Sequence, residues 1–130
     1  MRPTARLGQH PEDRLASPLQ LVNLADAAAR LRAEPHASVS GHRQIAVFRH
    51  GPVTLLLFRF EPDGLLPEHR AEGVVTIHVL TGRLVVIADD EPHQLEPGQL
   101  LGLAPGVVHS VRATAASEML LTIHQTPAAG

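Results

Sequence analysis

The 130-residue sequence has no Cys, no Trp, no Tyr and no Lys; all eleven of its basic residues are Arg. Without thiols it can have no cysteine nucleophile, no thiolate metal ligand and no disulfide. Without Lys it can have neither a Schiff-base amine nor a P-loop lysine, and without Tyr no phenolic general acid. Phe48, Phe58 and Phe60 are the only aromatics besides His, so there is no platform for stacking bases. The net charge of −2 and the lack of a basic block argue against nucleic acid as a partner. No apolar run approaches the roughly 20 residues that cross a bilayer, so no membrane partner is expected. The opening Met1-Arg2-Pro3-Thr4-Ala5-Arg6 leads into Gly, Gln, His and Pro rather than an apolar h-region. A cytoplasmic location is therefore the expectation. Against these gaps stand nine His. Any chemistry must run on His, Asp, Glu, Arg, a few hydroxyls, or a metal they hold.

Residues 1–16 mix Pro, Arg, Gly and Asp with scattered apolar positions and read as a loose arm. A helix is expected over 17–34. Ser17, Pro18 and Gln20 fit the cap, first and third positions, and Leu21, Leu24, Ala25, Ala28 and Leu31 recur at helical spacing. Asp26 and Arg30 can pair across one turn, and Pro35 disfavours helix at Glu34. From about residue 43 the pattern changes to short Val-, Leu- and Ile-rich runs closed by Gly, Pro or Asp. Strands are expected near 44–50, 53–61, 74–81, 83–89, 92–96, 99–103, 107–113 and 117–125. Eight short strands after one helix describe an all-β sandwich or small barrel over residues 43–126.

Two stretches carry a family resemblance. Gly64-Leu65-Leu66-Pro67-Glu68-His69-Arg70-Ala71-Glu72-Gly73, followed by Val74 to Gly82, resembles the first cupin motif. Gly98 to His109, with Pro105-Gly106 inside it, resembles the second. The helix before them and the closing Met119-Leu120-Leu121-Thr122-Ile123 look like a branch of small single-domain, RmlC-like cupins. The resemblance implies a double-stranded β-helix, the jelly-roll barrel, with one N-terminal covering helix.

Many cupins hold one divalent metal with three His and one Glu drawn from both motifs. Carried over residue by residue, His69 matches the first His of motif one and His109 the single His of motif two. Ala71 stands where the second His belongs. The Glu position, counted back from Gly82, falls at Val75. A metal shell could be refilled by Glu72, three residues after His69, or by His78. Period-two alternation puts His78 opposite Val75. If Val75 points inward, His78 points outward; if the register slips by one, His78 joins His69 and His109. His109, following a Pro-Gly turn, could equally hydrogen-bond a backbone group. His124 reads as a partly buried terminal residue. His10, His36, His42, His50 and His93 read as solvated residues at loops and strand edges, and Asp89-Asp90-Glu91 as a solvated hairpin tip. Arg59 shares a face with Leu55 and Leu57 and could reach an anionic ligand or merely snorkel.

Two functions follow from the resemblance. One is a protein that binds a small molecule in the barrel cavity, with the His pair making hydrogen bonds. The other is a metal-dependent enzyme of dioxygenase, isomerase or lyase type using Zn, Fe, Mn or Ni. A metal and no metal are equally open at this stage. A homodimer is expected, because Val53–Phe60 and Val74–Leu80 are apolar on both faces.

Overall fold

A computed structural model describes residues 18–34 and 40–125. The expected arm, with His10 and Ser17, and also His36, lie outside the described residues. Among the described residues one helix, α1 (Leu24–Arg32), precedes nine strands: β1 (His42–His50), β2 (Val53–Phe60), β3 (Leu65–His69), β4 (Val74–Thr81), β5 (Leu84–Ala88), β6 (Glu91–Leu95), β7 (Leu100–Leu103), β8 (His109–Ala113) and β9 (Ser117–His124). They form two antiparallel sheets, ordered β1-β2-β9-β4-β7 and β3-β8-β5-β6, in a jelly-roll arrangement.

The helix is shorter than its expected 17–34 span. Asn23, not Ser17, is the N-cap, its side chain accepting from the Asp26 N–H at 3.0 Å. Residues 18–23 are not helical, and Leu21 of the expected stripe stands fully in solvent. The stripe that does pack is Ala27, Ala28 and Leu31, which close over Leu57 with Ile45, Val47 and Leu80. The helix therefore covers the outer face of the first sheet, next to β1 and β2.

A strand absent from the sequence reading, β3, fills the stretch before residue 74. Pro67 masked it, since proline removes a ladder donor; β3 is an edge strand, where that loss is tolerated. Its pairing with β8 shifts between Leu66 and His69. The irregularity of β4 against β9 falls later, between Val79 and Thr81. In β4, Val75, Ile77 and Val79 are buried and pair evenly with β9.

Residues paired directly across antiparallel strands share a face, so register identifies the barrel interior. Phe58, Phe60, Val75, Ile77, Val79, Met119 and Leu121 from the first sheet meet Leu84, Val86, Ala88, Leu95, Val111 and Ala113 from the second. Two tight turns illustrate positive-φ backbone. Asp89 and Asp90 both take positive φ (54° and 63°), the two-residue hairpin geometry that Asp tolerates better than most side chains. At Gly82 (φ 85°) a Cβ would lie 2.2 Å from the Ser117 Oγ. That buried hydroxyl accepts from the Arg83 N–H at 2.9 Å and faces the Ala115 carbonyl at 2.7 Å.

Candidate functional site

The connections from His69 to Val74 and from Leu103 to His109 both cross between the sheets at the same end of the barrel. At that end the inner row of the second sheet reads His69, His109, Ala88, Glu91, each paired with the next. The row behind it reads Leu66, Val111, Val86, His93. The facing row of the first sheet is Thr54, Ile123, Val75, Leu103. One wall is thus partly polar and the other largely apolar.

His69 and His109 are brought together. Their ring centroids are 4.1 Å apart in an edge-on arrangement. His109 is buried, whereas His69 is exposed at the end of its edge strand. Each Nδ1 lies against the carbonyl two residues earlier, at 2.8 Å for His69 with Pro67 and 3.0 Å for His109 with Val107. A carbonyl can only accept, so Nδ1 carries the proton in both rings, and each neutral ring presents a bare lone pair at Nε2. The Nε2 of His109 is buried with no hydrogen-bond partner among the described residues. Burial lowers the His109 pKa from its ordinary value of 6.5, the Val107 hydrogen bond pulls the other way, and the charge of His69 lowers it further.

The remaining candidates lie elsewhere. Because Val75 points inward and β4 keeps its register, His78 takes the outer face, in a row with Leu57, Leu120 and Leu100; the condition for its joining the pair is not met. Arg59 is also placed away from the pair. It sits on the outer face and contacts Glu118 Oε2 at 3.1 Å, and Arg32 of α1 reaches the same oxygen at 2.8 Å. Glu72 is exposed on the connection between β3 and β4. Ala71 packs against the core and Val75 is buried in it, so a methyl and an isopropyl occupy the two remaining motif positions.

Three other sequence readings change. His42 is half-buried against Phe58 and Phe60, with ring centroids 5.6 Å from each, and its Nδ1–H donates to the Leu65 carbonyl at 2.9 Å. His93 and Glu91 belong to the inner face of β6, because only Asp89 and Asp90 form the turn. The alternation Glu91, His93, Leu95, ending on a core residue, was the available signal. His124 is exposed rather than partly buried.

A catalytic metal needs about three protein ligands and an open position. Bare, pinned imidazole nitrogens suit a metal. Among the described residues, however, no group of three or more His, Cys, Asp or Glu side chains is placed to share an ion. Two imidazoles backed by Ala71 and Val75 do not fit a resident catalytic metal.

Similarity to known proteins agrees with the architecture. A cupin superfamily protein from Desulfitobacterium hafniense superposes with a TM-score of 0.65 at 19% identity, over 87% of this chain and 96% of that one. A structural-genomics protein of unknown function from Rhizobium leguminosarum gives 0.68 at 22%, over 85% and 100%. Salicylate 1,2-dioxygenase from Pseudoaminobacter salicylatoxidans gives 0.75 at 17%, over 93% of this chain but 38% of that larger one. At these identities the likeness establishes the fold alone. No curated protein matches the sequence. Among the described residues no helix is long and apolar enough to cross a membrane. The cupin-domain family model matches residues 56–124, which span both His-bearing motifs, and the chain belongs to the cupin family.

Proposed function

We propose that this cupin binds a small molecule at the His69–His109 end of its barrel without a resident catalytic metal. The observation that carries this reading is the buried Nε2 of His109, which has no partner among the described residues, beside a second pinned imidazole. An unsatisfied buried acceptor costs about 1–3 kcal/mol, and a ligand that donates to it recovers that free energy. The facing row of Thr54, Ile123, Val75 and Leu103 is largely apolar, which favours a ligand with an apolar part. Elemental analysis of tag-free protein, dialysed against Zn, Fe, Mn or Ni at pH 7.5, tests the metal-free part. We expect no stoichiometric metal. One equivalent that disappears in both His69→Ala and His109→Ala would overturn the reading in favour of a metal-dependent enzyme.

The same chain is proposed to work as a homodimer. Leu100 and Val74 are 58% and 39% exposed on the outer face of the first sheet that α1 leaves uncovered, and Leu21, just before the helix, is fully exposed. A second copy would bury both patches reciprocally. Sedimentation equilibrium should give twice the chain mass, and Leu21→Arg with Leu100→Arg should return the monomer. A monomeric parent protein at tens of micromolar would refute it.

A further inference from the structure

A cavity of about 420 Å³ lies between α1 and β1, on the outer face of the first sheet. That volume falls within the range of small-molecule sites. It exists because the helix starts late. Residues 19–23 stay extended instead of coiling into α1, and they form one wall. Ile45, Ala46 and Val47 of β1, an edge strand, form the other. Ile45 and Val47 pack with the buried Ala27 under the helix, so the floor of the cavity is apolar. Two of the residues lining it are charged, Asp26 and Arg30. They are four residues apart on α1, hence one turn and roughly 6 Å along the axis on the same side of the helix. That spacing predicts an ion pair between them. Among the described residues, however, Asp26 and Arg30 make no ion pair with each other or with any third group. One carboxylate and one guanidinium therefore line the same apolar-floored cavity, each with its charge uncompensated by a neighbour.

We propose that this cavity is a second site, for a small zwitterion: an α-amino acid with a branched apolar side chain. The α-carboxylate of the ligand takes the Arg30 guanidinium, whose forked N–H groups match two carboxylate oxygens. The α-ammonium donates to the Asp26 carboxylate, one helical turn away. The hydrocarbon side chain lies on Ala27, Ile45 and Val47. A ligand of zero net charge with both groups on one carbon satisfies Asp26 and Arg30 together. An organic anion would bring its carboxylate near Asp26, and an organic cation would bring its ammonium near Arg30; each meets a like charge. Both side chains are exposed, so a pairing between them in water is weak and offers little competition to the ligand. The site is on the opposite face of the first sheet from the histidine pair and is independent of the reading given to that pair.

Leucine, 4-methylpentanoate and isoamylamine serve as the probes: the second is leucine without its ammonium, the third leucine without its carboxylate. Each is titrated into uniformly 15N-labelled protein at pH 7.5, to about 20 mM because so small a ligand binds weakly. The backbone amides of Asp26–Arg30 and Ile45–Val47 are followed. Leucine should shift both sets along one saturating curve, and each analogue should bind at least tenfold more weakly. Asp26→Asn and Arg30→Gln should each weaken leucine about tenfold, the size expected for loss of one charge-assisted hydrogen bond. Both positions are exposed, and an unchanged amide fingerprint elsewhere verifies that the variants keep the fold. If either analogue binds as tightly as leucine, or if either substitution leaves leucine binding unchanged, the zwitterion assignment is overturned. If leucine moves neither set of amides, the site itself is refuted.

Discussion

Replacing His109 by Leu tests the energetics of the site in one step. The two side chains are similar in volume and the position is 1% exposed. The substitution removes the Nδ1–H bond to Val107, worth about 0.5–1.5 kcal/mol, and removes the orphaned Nε2, which costs about 1–3 kcal/mol. The variant should therefore gain about 1 kcal/mol at pH 7.5, a rise in Tm of roughly 4–8 °C for a domain of this class. The gain should widen in acid. Burial holds the folded His109 below its ordinary 6.5, so as pH falls past that value the unfolded chain takes up a proton that the native chain refuses. The histidine's contribution to stability is present above pH 6.5 and is lost as pH falls toward the lowered folded value. The slope cannot exceed about 1.4 kcal/mol per pH unit for one proton. Urea unfolding of parent and variant at pH 7.5 and 5.5, with chelator, gives the comparison, and the other histidines cancel in the difference. A variant at least 2 kcal/mol less stable than the parent at both pH values, with the same acid slope, would refute the account of a buried, neutral imidazole whose Nε2 lacks a partner among the described residues.

Two further outcomes test the opposite end of the barrel, where β9 begins. Glu118→Gln should cost about 1–2 kcal/mol in urea unfolding, because Arg32 and Arg59 both converge on the lost charge; the half-exposed guanidinium of Arg32 keeps the cost below that of a fully buried pair. Hydrogen exchange should show α1 loosening first, since Arg32 ties it to β9; unchanged protection would sink that role. Ser117→Ala should cost about 1–3 kcal/mol in the same assay by leaving the Arg83 N–H without its acceptor at the Gly82 turn. A loss under 0.5 kcal/mol would mean that another acceptor takes over.

The legibility of this chain differed by length scale. Val75, Ile77 and Val79 alternate with Thr76 and His78, so the strand and its two faces were readable from local periodicity. The Asp89-Asp90 hairpin was readable because two consecutive positive-φ positions favour such residues. Strand β3 was not, because Pro67 is a breaker unless the strand lies at an edge, and edge status is a property of the whole sheet. His93 and Glu91 were misplaced for a related reason: the exact turn residues decide which side of the hairpin each falls on.

From its sequence alone the protein was restricted to chemistry without thiols, lysine amines or phenols, and it carried two cupin-like motifs with His69 and His109 in place and Ala71 and Val75 where ligands are usual. The first rests on residue identity, and the second on the resemblance to the cupin motifs. Only the tertiary structure decided that His78 faces away, that Arg59 belongs to Glu118, and that the two imidazoles meet with their Nδ1 atoms already occupied. Those outcomes depend on register and on contacts between β3 and β8, strands separated by some forty residues of chain. The register of β4 was the one variable that separated a three-histidine cluster from a pair.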